Sequence, residues 1–371
     1  MLIDLTYIDQ RPQIIASFWS LGGTLSNAIL AVQIIIDGIK GDSNWRTFYW
    51  VWTGPCALAV LLAVFLCPET LFRRPAMAFD GHVLVQSASE KIHIYSDWNE
   101  AEEEKALPDT PKESSLWAWI DTLNFWDTIQ EGGWKAMIAC YSQIIICLLN
   151  PIIFWVIVLN AFMMGALVSI SRSSSNLLQD APYLLSAKDQ CLLRFAATIG
   201  SLLAWPASGI LIARIGRDLT ARNRGYRDAE QYLPSFILPV LIGATSIAIY
   251  GIAGQKKWPL ISILASYTGL YFSFISLFTA NTLWATEAFP QWAAAALVVI
   301  GGVSYIGSFP LIISIDPWIQ NEGFAKTHYE IGILVLVVGC VGIPMAFWGK
   351  RWRQYILNRW GSNEGGAIRP Q

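Results

Sequence analysis

The sequence predicts an all-α polytopic membrane protein, a bundle of about eight transmembrane helices. The chain is 54% hydrophobic and only 14% charged, with a mean hydropathy of +0.44, whereas soluble domains carry about 25% charged residues. Eight runs supply the roughly 20 apolar residues that a helix needs to cross the bilayer core. Helices are expected because a segment in lipid has to satisfy its own backbone hydrogen bonds. The predicted spans are 12–36, 47–67, 139–170, 190–213, 232–254, 258–286, 291–315 and 328–348.

Lys and Arg are distributed unevenly between the two sets of loops that these spans create. Five arginines lie between the fourth and fifth spans, at 214, 217, 222, 224 and 227. The loops on their side, together with both termini, hold 17 of the 25 Lys and Arg residues, against seven on the other side. Because short loops rich in basic residues stay cytoplasmic, both termini are predicted to be cytoplasmic. Lys256 and Lys257, on the predicted outer side, argue against this orientation.

A polar stretch, 68–138, separates the first two spans from the other six. Its acidic middle, 97–113, contains prolines and is expected to be mobile. Its end predicts a helix lying in the headgroup layer, and a cytoplasmic helix packed on the bundle is the alternative. The residues that predict this helix are Leu116, Trp117, Trp119, Leu123, Phe125, Trp126 and Trp134.

Small residues recur on one face of three spans. Such stripes let helix backbones approach closely in lipid, so they predict helix–helix contacts and no particular activity. They are Ala197, Ser201, Ala204 and Ser208 in the fourth span, Gly22, Gly23 and Ser26 in the first, and Gly301, Ser304 and Ser308 in the seventh.

Short motifs flank several spans in a fixed order. They are W-R-T-F-Y-W at 45–50, P-E-T-L-F-R-R at 68–74, A-P-Y at 181–183, Gly209, A-R-N-R-G at 221–225 through Glu230, D-P-W-I at 316–319, Gly323 and G-K-R at 349–351. Together they resemble the segments around helices six, eight and eleven of fungal major facilitator superfamily transporters, in the drug:proton antiporter-like branch. Arg11 matches the arginine usual just before helix five of that family.

This resemblance implies that the eight spans correspond to helices five to twelve of a twelve-helix fold. Residues 1–67 are then a remnant of the N-terminal half, 68–138 a cytoplasmic linker with an interfacial helix, 139–349 the C-terminal six-helix half, and 350–371 a cytoplasmic tail. The family's first four helices are missing in this interpretation, through either a gene-model error or a true truncation. Ala213 replaces a usual aspartate, which removes an acidic partner of the loop arginines. The loop residues expected in gating are Arg217, Arg222, Asn223 and Glu230.

Carriers of this type bind solute near the midplane, and the first helix of each three-helix repeat lines the cavity. The resemblance gives that role to the spans 139–170 and 258–286. In the latter, Tyr267, Tyr271, Phe274, Phe278 and Asn281 share one face. An aromatic face with few polar groups suits an amphipathic organic solute, although ordinary helix packing remains the alternative.

Two further residues complete the predicted binding set. Asn160 is the polar residue in the middle of the span 139–170, where a helix–helix hydrogen bond is as plausible as a ligand contact. Trp284 lies near the cytoplasmic end of the span 258–286. The predicted substrate-binding residues are therefore Asn160, Tyr267, Tyr271, Phe274, Asn281 and Trp284.

Ionisable groups are nearly absent from the middle of the spans. Arg194 lies near the outer end of its span, from where its side chain can reach the interface. No buried Asp or Glu is visible as a proton carrier, so the carrier either lies in the missing helices or does not exist. Nothing in the sequence indicates a catalytic residue, a metal site, a cofactor or a nucleic-acid partner.

The favoured function is transport of a small organic molecule by a secondary carrier of the multidrug or metabolite efflux type, with or without proton coupling. With helices missing, the chain expressed alone is expected to export nothing. The alternative is a non-transporting accessory or degenerate protein, with a full-length carrier as its partner. A membrane-embedded enzyme is disfavoured because no Asp, Glu or His residues cluster at a membrane face. The plasma membrane is preferred over the vacuole as its location.

Overall fold

Ten helices and one small sheet make up the described part of the chain, which is taken from a computed structural model. The structure describes residues 10–40, 45–66, 77–79, 82–86, 92–95, 133–222, 229–289 and 292–360. The helices are α1 (Arg11–Lys40), α2 (Trp45–Leu66), α3 (Gly133–Leu149), α4 (Pro151–Gln179), α5 (Cys191–Arg222), α6 (Ile237–Lys256), α7 (Leu260–Ala288), α8 (Ala293–Glu322), α9 (Phe324–Cys340) and α10 (Gly342–Trp360). Two 3₁₀ helices, Ala187–Gln190 and Ala229–Phe236, precede α5 and α6.

Seven helical segments in these described ranges are long and apolar enough to cross a membrane. They are Arg11–Ile36, Pro151–Gln179, Lys188–Arg222, Ala229–Lys256, Leu260–Ala288, Ala293–Glu322 and Phe324–Gly349. The described part of α2 adds a shorter apolar stretch, Trp52–Leu62. The prediction of an all-α polytopic membrane protein is therefore confirmed.

The third predicted span, 139–170, is wrong at both ends. The chain forms two helices there, and the membrane-length helix α4 begins at Pro151. The side chain of Asn150 accepts a hydrogen bond from the backbone N–H of Ile152 at 3.0 Å, which caps the helix. Proline suits the first position of a helix because the N–H group that it lacks would have no partner within the helix there. At the other end, Ser171 and Ser173 find hydrogen-bond partners on neighbouring helices, so their polarity does not end the span.

A three-stranded antiparallel sheet lies within the stretch predicted to be a linker. Its strands are β1 (Met77–Phe79), β2 (His82–Gln86) and β3 (Ile92–Tyr95), in the order β1-β2-β3. Phe79 pairs with His82, and the intervening sequence Asp80-Gly81 favours a tight hairpin. This signal was missed because only the charge of the stretch was considered. The acidic middle, 97–113, and all of the tryptophan-rich end before α3 lie outside the described residues.

Contacts between Cα atoms divide the chain into two units. One contains Met1–Ser43 with Ile144–Ile356, and the other contains Asn44–Gln143 with Leu357–Gln371. Within the first unit, the most extensive helix contacts join α1 to α5, α5 to α7, α6 to α9 and α4 to α8. The helix α1 is therefore packed with the later helices, and the candidate site lies entirely within this unit.

The contact between α1 and α5 uses the predicted small residues. A Cβ atom added at Gly23 would lie 3.1 Å from Ser201 Oγ and 2.7 Å from Ile275 Cδ1. Ser20 Oγ donates a hydrogen bond to the backbone oxygen of Ser201 at 2.6 Å. Gly22, in contrast, faces open space. Close approach of the two backbones thus depends on one glycine of the predicted pair.

The backbones of α5 and α7 are in direct contact at Gly200. A Cβ atom there would overlap the carbonyl oxygen of Thr268 and lie 3.0 Å from its carbonyl carbon and 3.1 Å from Phe272 N. Thr268 Oγ1 also donates a hydrogen bond across the contact, to the backbone oxygen of Ala196 at 3.1 Å. Since the opposing atoms are backbone atoms, they cannot rotate away from a larger side chain.

We predict that Gly200→Ala lowers the thermal stability of the protein, because the added methyl forces two backbones apart. Overpacking of this kind costs roughly 1–3 kcal/mol. The measurement is the melting temperature of the detergent-purified protein, followed by size-exclusion chromatography after heating. Gly302→Ala on α8 is the matched control, because nothing lies within 4 Å of a Cβ there. Equal melting temperatures for the two variants would contradict the prediction.

Candidate functional site

One face of α7 carries four aromatic side chains, as the helical spacing predicted, and they form two pairs in contact. Tyr267, Tyr271 and Phe278 are buried, and Phe274 is half-buried. The ring centroids of Tyr267 and Tyr271 are 5.1 Å apart, and those of Phe274 and Phe278 are 4.8 Å apart. We call these four residues the aromatic row.

An amide pair lies at one end of the aromatic row. Asn281 Nδ2 on α7 donates a hydrogen bond to Asn160 Oδ1 on α4 at 2.8 Å. Asn160 Nδ2 in turn donates to the Val156 carbonyl of its own helix at 3.0 Å. Both amides are 1% exposed, and Asn281 Oδ1 is buried without a partner among the described residues. The pair is a helix–helix contact that still leaves one acceptor for a ligand.

Hydroxyl and guanidinium groups surround the other end of the row. The Tyr267 hydroxyl lies 2.8 Å from Ser171 Oγ on α4. The Tyr271 hydroxyl accepts a hydrogen bond from Arg194 Nη1 on α5 at 3.3 Å. The Arg194 guanidinium thus contacts the aromatic row, whereas the sequence analysis expected it to extend to the interface.

A second serine of α4 makes a similar contact nearby. Ser173 Oγ lies 3.0 Å from the hydroxyl of the fully buried Tyr250 on α6, whose ring is 5.1 Å from that of His328 on α9. The sequence analysis missed both serines because it treated the polar run after residue 170 as a loop. The signal available in the sequence was that the helix could continue past residue 170 if its serines met tyrosines of other spans.

Trp284 does not belong to the aromatic row. Its buried ring makes an edge contact with Phe289 at 6.0 Å, and Phe289 stacks on Trp292 at 6.2 Å. It lies thirteen residues beyond Tyr271, about 20 Å along a helix at 1.5 Å per residue. The structure therefore places Trp284 in the packing at the end of α7.

Of the four predicted gating residues, Arg217 and Arg222 are not brought together with Glu230. Arg217 Nε donates to the Ala213 carbonyl of its own helix at 3.3 Å. Arg222 is exposed at the last residue of α5. Asn223 lies outside the described residues.

Glu230, the fourth gating residue, forms an ion pair that the sequence did not predict. Its carboxylate accepts two hydrogen bonds from Arg353 on α10, at 3.2 Å from Nε and 3.1 Å from Nη2. The side chains are only 14% and 17% exposed. A bidentate pair of this kind fixes the middle of α10 against the 3₁₀ helix that precedes α6.

A second ion pair joins α1 to α7. Arg11 Nη1 lies 2.8 Å from Glu287 Oε1, with side chains 13% and 24% exposed. The same two helices also meet at Trp19, whose Nε1 donates a hydrogen bond to Thr282 Oγ1 at 3.0 Å. The Trp19 ring centroid lies 4.9 Å from that of Phe278. The helix α1 therefore borders the aromatic row as well as anchoring its end.

A cavity of about 300 Å³ lies elsewhere, between α6 and the helices α9 and α10. Its lining is apolar and includes the strongly exposed side chains of Ile343 and Phe347. Such a groove matches lipid chains but has no side chain that can orient a polar solute. The aromatic row with its two polar ends is therefore the better candidate.

Comparison with known proteins points to a transporter. The chain is similar to a fungal MFS-type transporter. An uncharacterised MFS-type transporter of Schizosaccharomyces pombe is 22% identical over 184 residues, which are 49% of this chain and 31% of that protein. The protein HOL1 of Saccharomyces cerevisiae is 21% identical over 184 residues, which are again 49% of this chain and 31% of that protein. No family model and no solved structure matches the chain.

The first of these relatives is named as an MFS-type transporter, so the similarity makes membrane transport a candidate function for this chain. The matched region spans about a third of the length of each curated relative. The residues of the aromatic row and the gating segment remain predictions of function, because neither comparison assigns them a role.

We predict that the Asn160–Asn281 hydrogen bond stabilises the bundle. Asn281→Ala leaves Asn160 Oδ1 without its donor, and an unpaired buried group costs about 1–3 kcal/mol. A double-mutant cycle with Asn160→Ala, read by thermal unfolding in detergent, should give a coupling of roughly 0.6–1.7 kcal/mol, as found for hydrogen bonds between membrane helices. Strictly additive losses would show that the two amides do not interact.

We also predict that α1 and α7 are held together by opposite charge. Arg11→Glu alone places two carboxylates side by side and should lower the melting temperature. The exchange Arg11→Glu with Glu287→Arg should recover most of the loss, since the attraction is restored. As a control, Arg172 and Asp316 form a pair that is more than half exposed, and its exchange should matter little. A failure of the double exchange to recover any stability would contradict the ion-pair role.

Proposed function

We propose that the first unit of this chain forms the solute-binding part of a secondary carrier of the multidrug or metabolite efflux type. Such a carrier moves a small organic molecule across a membrane. The observation that carries the proposal is the aromatic row of α7, which lies between the Asn160–Asn281 amide pair and the hydroxyl groups around Tyr267. The similarity to an MFS-type transporter supports transport in general. The assignment of residues 139–349 to a C-terminal six-helix half is part of the same proposal.

The chemistry of the row defines the class of solute. Four rings offer flat apolar surface, against which an aromatic or aliphatic body packs without a directional requirement. Asn281 Oδ1 supplies a hydrogen-bond acceptor at one end, and the tyrosine hydroxyls lie at the other. An amphipathic molecule with a polar group at either end matches this arrangement better than a sugar, which needs polar partners along its whole length.

Proton coupling needs a titratable group that the transport cycle can protonate. Among the described residues no Asp or Glu is fully buried. The carboxylates of Glu230 and Glu287 are each paired with an arginine. The described carboxylates therefore supply no unpaired and fully buried proton carrier.

This observation also favours a second candidate, a non-transporting accessory protein that associates with a full-length carrier. Affinity purification from native membranes tests it. A stable complex with a larger carrier, together with an absence of solute binding by the chain itself, would favour the accessory role over the carrier.

We predict that Tyr267→Ala and Tyr271→Ala each weaken solute binding by about tenfold or more, since loss of a buried ring removes most of its packing surface. Binding is measured by calorimetry on the detergent-purified chain with a panel of amphipathic aromatic solutes. Tyr305→Ala is the matched control, because Tyr305 is 52% exposed on α8.

The transport step is tested in cells that express the chain and its tyrosine variants. Solute movement above the empty-vector level that falls in Tyr267→Ala but not in Tyr305→Ala would support the carrier. A panel that shows neither binding nor movement would refute the proposed site.

A further inference from the structure

Arg194 is the one basic residue that the structure places inside a predicted span and against the aromatic row. It is the fourth residue of α5 and half-buried. Its Nη1 group donates to the hydroxyl of Tyr271, which is 9% exposed. The side chain therefore directs its charge toward the candidate site.

The Arg194 guanidinium has no anionic partner among the described residues. Its single side-chain hydrogen bond, 3.3 Å long, goes to the neutral hydroxyl of Tyr271. The acidic residue nearest in sequence, Asp189, accepts hydrogen bonds from Ser186 instead. By comparison, the part-buried Arg11 and Arg353 each pair with a glutamate.

An arginine that contacts the aromatic row and has no anionic partner among the described residues points to a ligand. Charged side chains within a membrane span are costly and normally pair with an opposite charge or mark a substrate pathway. Arginine presents five N–H donors in a planar fork, which matches the two oxygens of a carboxylate or phosphate. Only one of the five donors is used here, so an edge of the fork remains open for a bidentate contact.

The surroundings define the rest of the ligand. Tyr271 connects the guanidinium to the aromatic row, which offers an apolar wall to the body of a bound molecule. At the far end of the row, the buried Asn281 Oδ1 also lacks a partner in the described residues. The site therefore offers a cation to one end of a bound molecule and a hydrogen-bond acceptor to the other end.

We propose that Arg194 binds the carboxylate or phosphate group of an amphipathic organic anion, while Tyr271 holds the guanidinium in place. Arg194 is the specificity-determining residue, and Tyr271 is a positioning residue that also packs on the ligand. This inference rests on the proposed function and refines its substrate class. The anionic group belongs either to a free solute or to a lipid headgroup, since both present the same oxygens.

The experiment compares matched probes that differ in charge. Binding of 1-naphthoate, 1-naphthyl phosphate and the neutral 1-naphthamide is measured by calorimetry on the full chain in an uncharged detergent. The unaltered protein should bind the two anions at least about tenfold more tightly than the amide, the size expected for a hydrogen bond between charged groups. Equal affinities for anion and amide would overturn the proposal.

Variants then assign the preference to Arg194. Arg194→Gln should lower the affinity for the two anions much more than the affinity for 1-naphthamide, so that the preference for the anions is lost. Arg194→Lys keeps the charge but loses the planar fork, so it should retain a reduced preference; it also serves if the glutamine variant does not fold. Tyr271→Phe should weaken anion binding several-fold by freeing the guanidinium. The control is Arg172→Gln, which removes an exposed arginine paired with Asp316 and should leave the preference intact.

A second binding experiment, with added lipids, distinguishes the two sources of the anionic group. Short-chain phosphatidylglycerol and phosphatidylcholine are added to the same micelles. Arg194-dependent binding of phosphatidylglycerol, without binding of the naphthyl anions, assigns the site to a headgroup; the reverse result assigns it to a solute. A preference that survives Arg194→Gln overturns the inference, while Tyr267-dependent binding of 1-naphthamide would still leave the proposed function standing.

Discussion

The absence of water from the hydrocarbon core is the constraint on which this structure depends. Every polar side chain inside the bundle has to find a partner in the protein, because lipid offers none. Many hydroxyls return to a carbonyl of their own helix, as Thr279 does to Ile275. Several others cross to a neighbour, as Ser20 and Ser304 do to backbone oxygens of α5 and α4. These crossing bonds, together with glycine contacts, decide which helices lie side by side.

The sequence predicted the helices well because length and hydrophobicity are local properties. It also predicted the aromatic row, since residues three, four and seven positions apart share a helical face. It could not predict the neighbour opposite each face. The partner of Asn281 was among the candidate residues, but nothing in the sequence linked Asn160 to it. Nor did the sequence indicate that Glu230 meets Arg353, which lies 123 residues away.

The error at the C-terminal end of α4 has a simple cause. A run such as Ser169–Ser175 is polar when it is considered alone, so it indicated the end of a span. Inside the bundle the hydroxyls of Ser171 and Ser173 contact Tyr267 and Tyr250, and the run belongs to a helix of membrane length. Arg194 was misjudged for the same reason, because its partner Tyr271 belongs to another helix. Polarity within a membrane span thus has to be judged against the surface it meets, which only the fold supplies.

The contact of α5 and α7 at Gly200 has a consequence for motion. Helices usually slide past one another by small rotamer changes in the side chains between them, a shear movement. At Gly200 and Thr268 no such layer exists, because backbone meets backbone. Shear between α5 and α7 is therefore blocked at this contact, and we expect the two helices, with Arg194 and Tyr271 on them, to move together. Any change in access to the site then has to come from the helices around this pair.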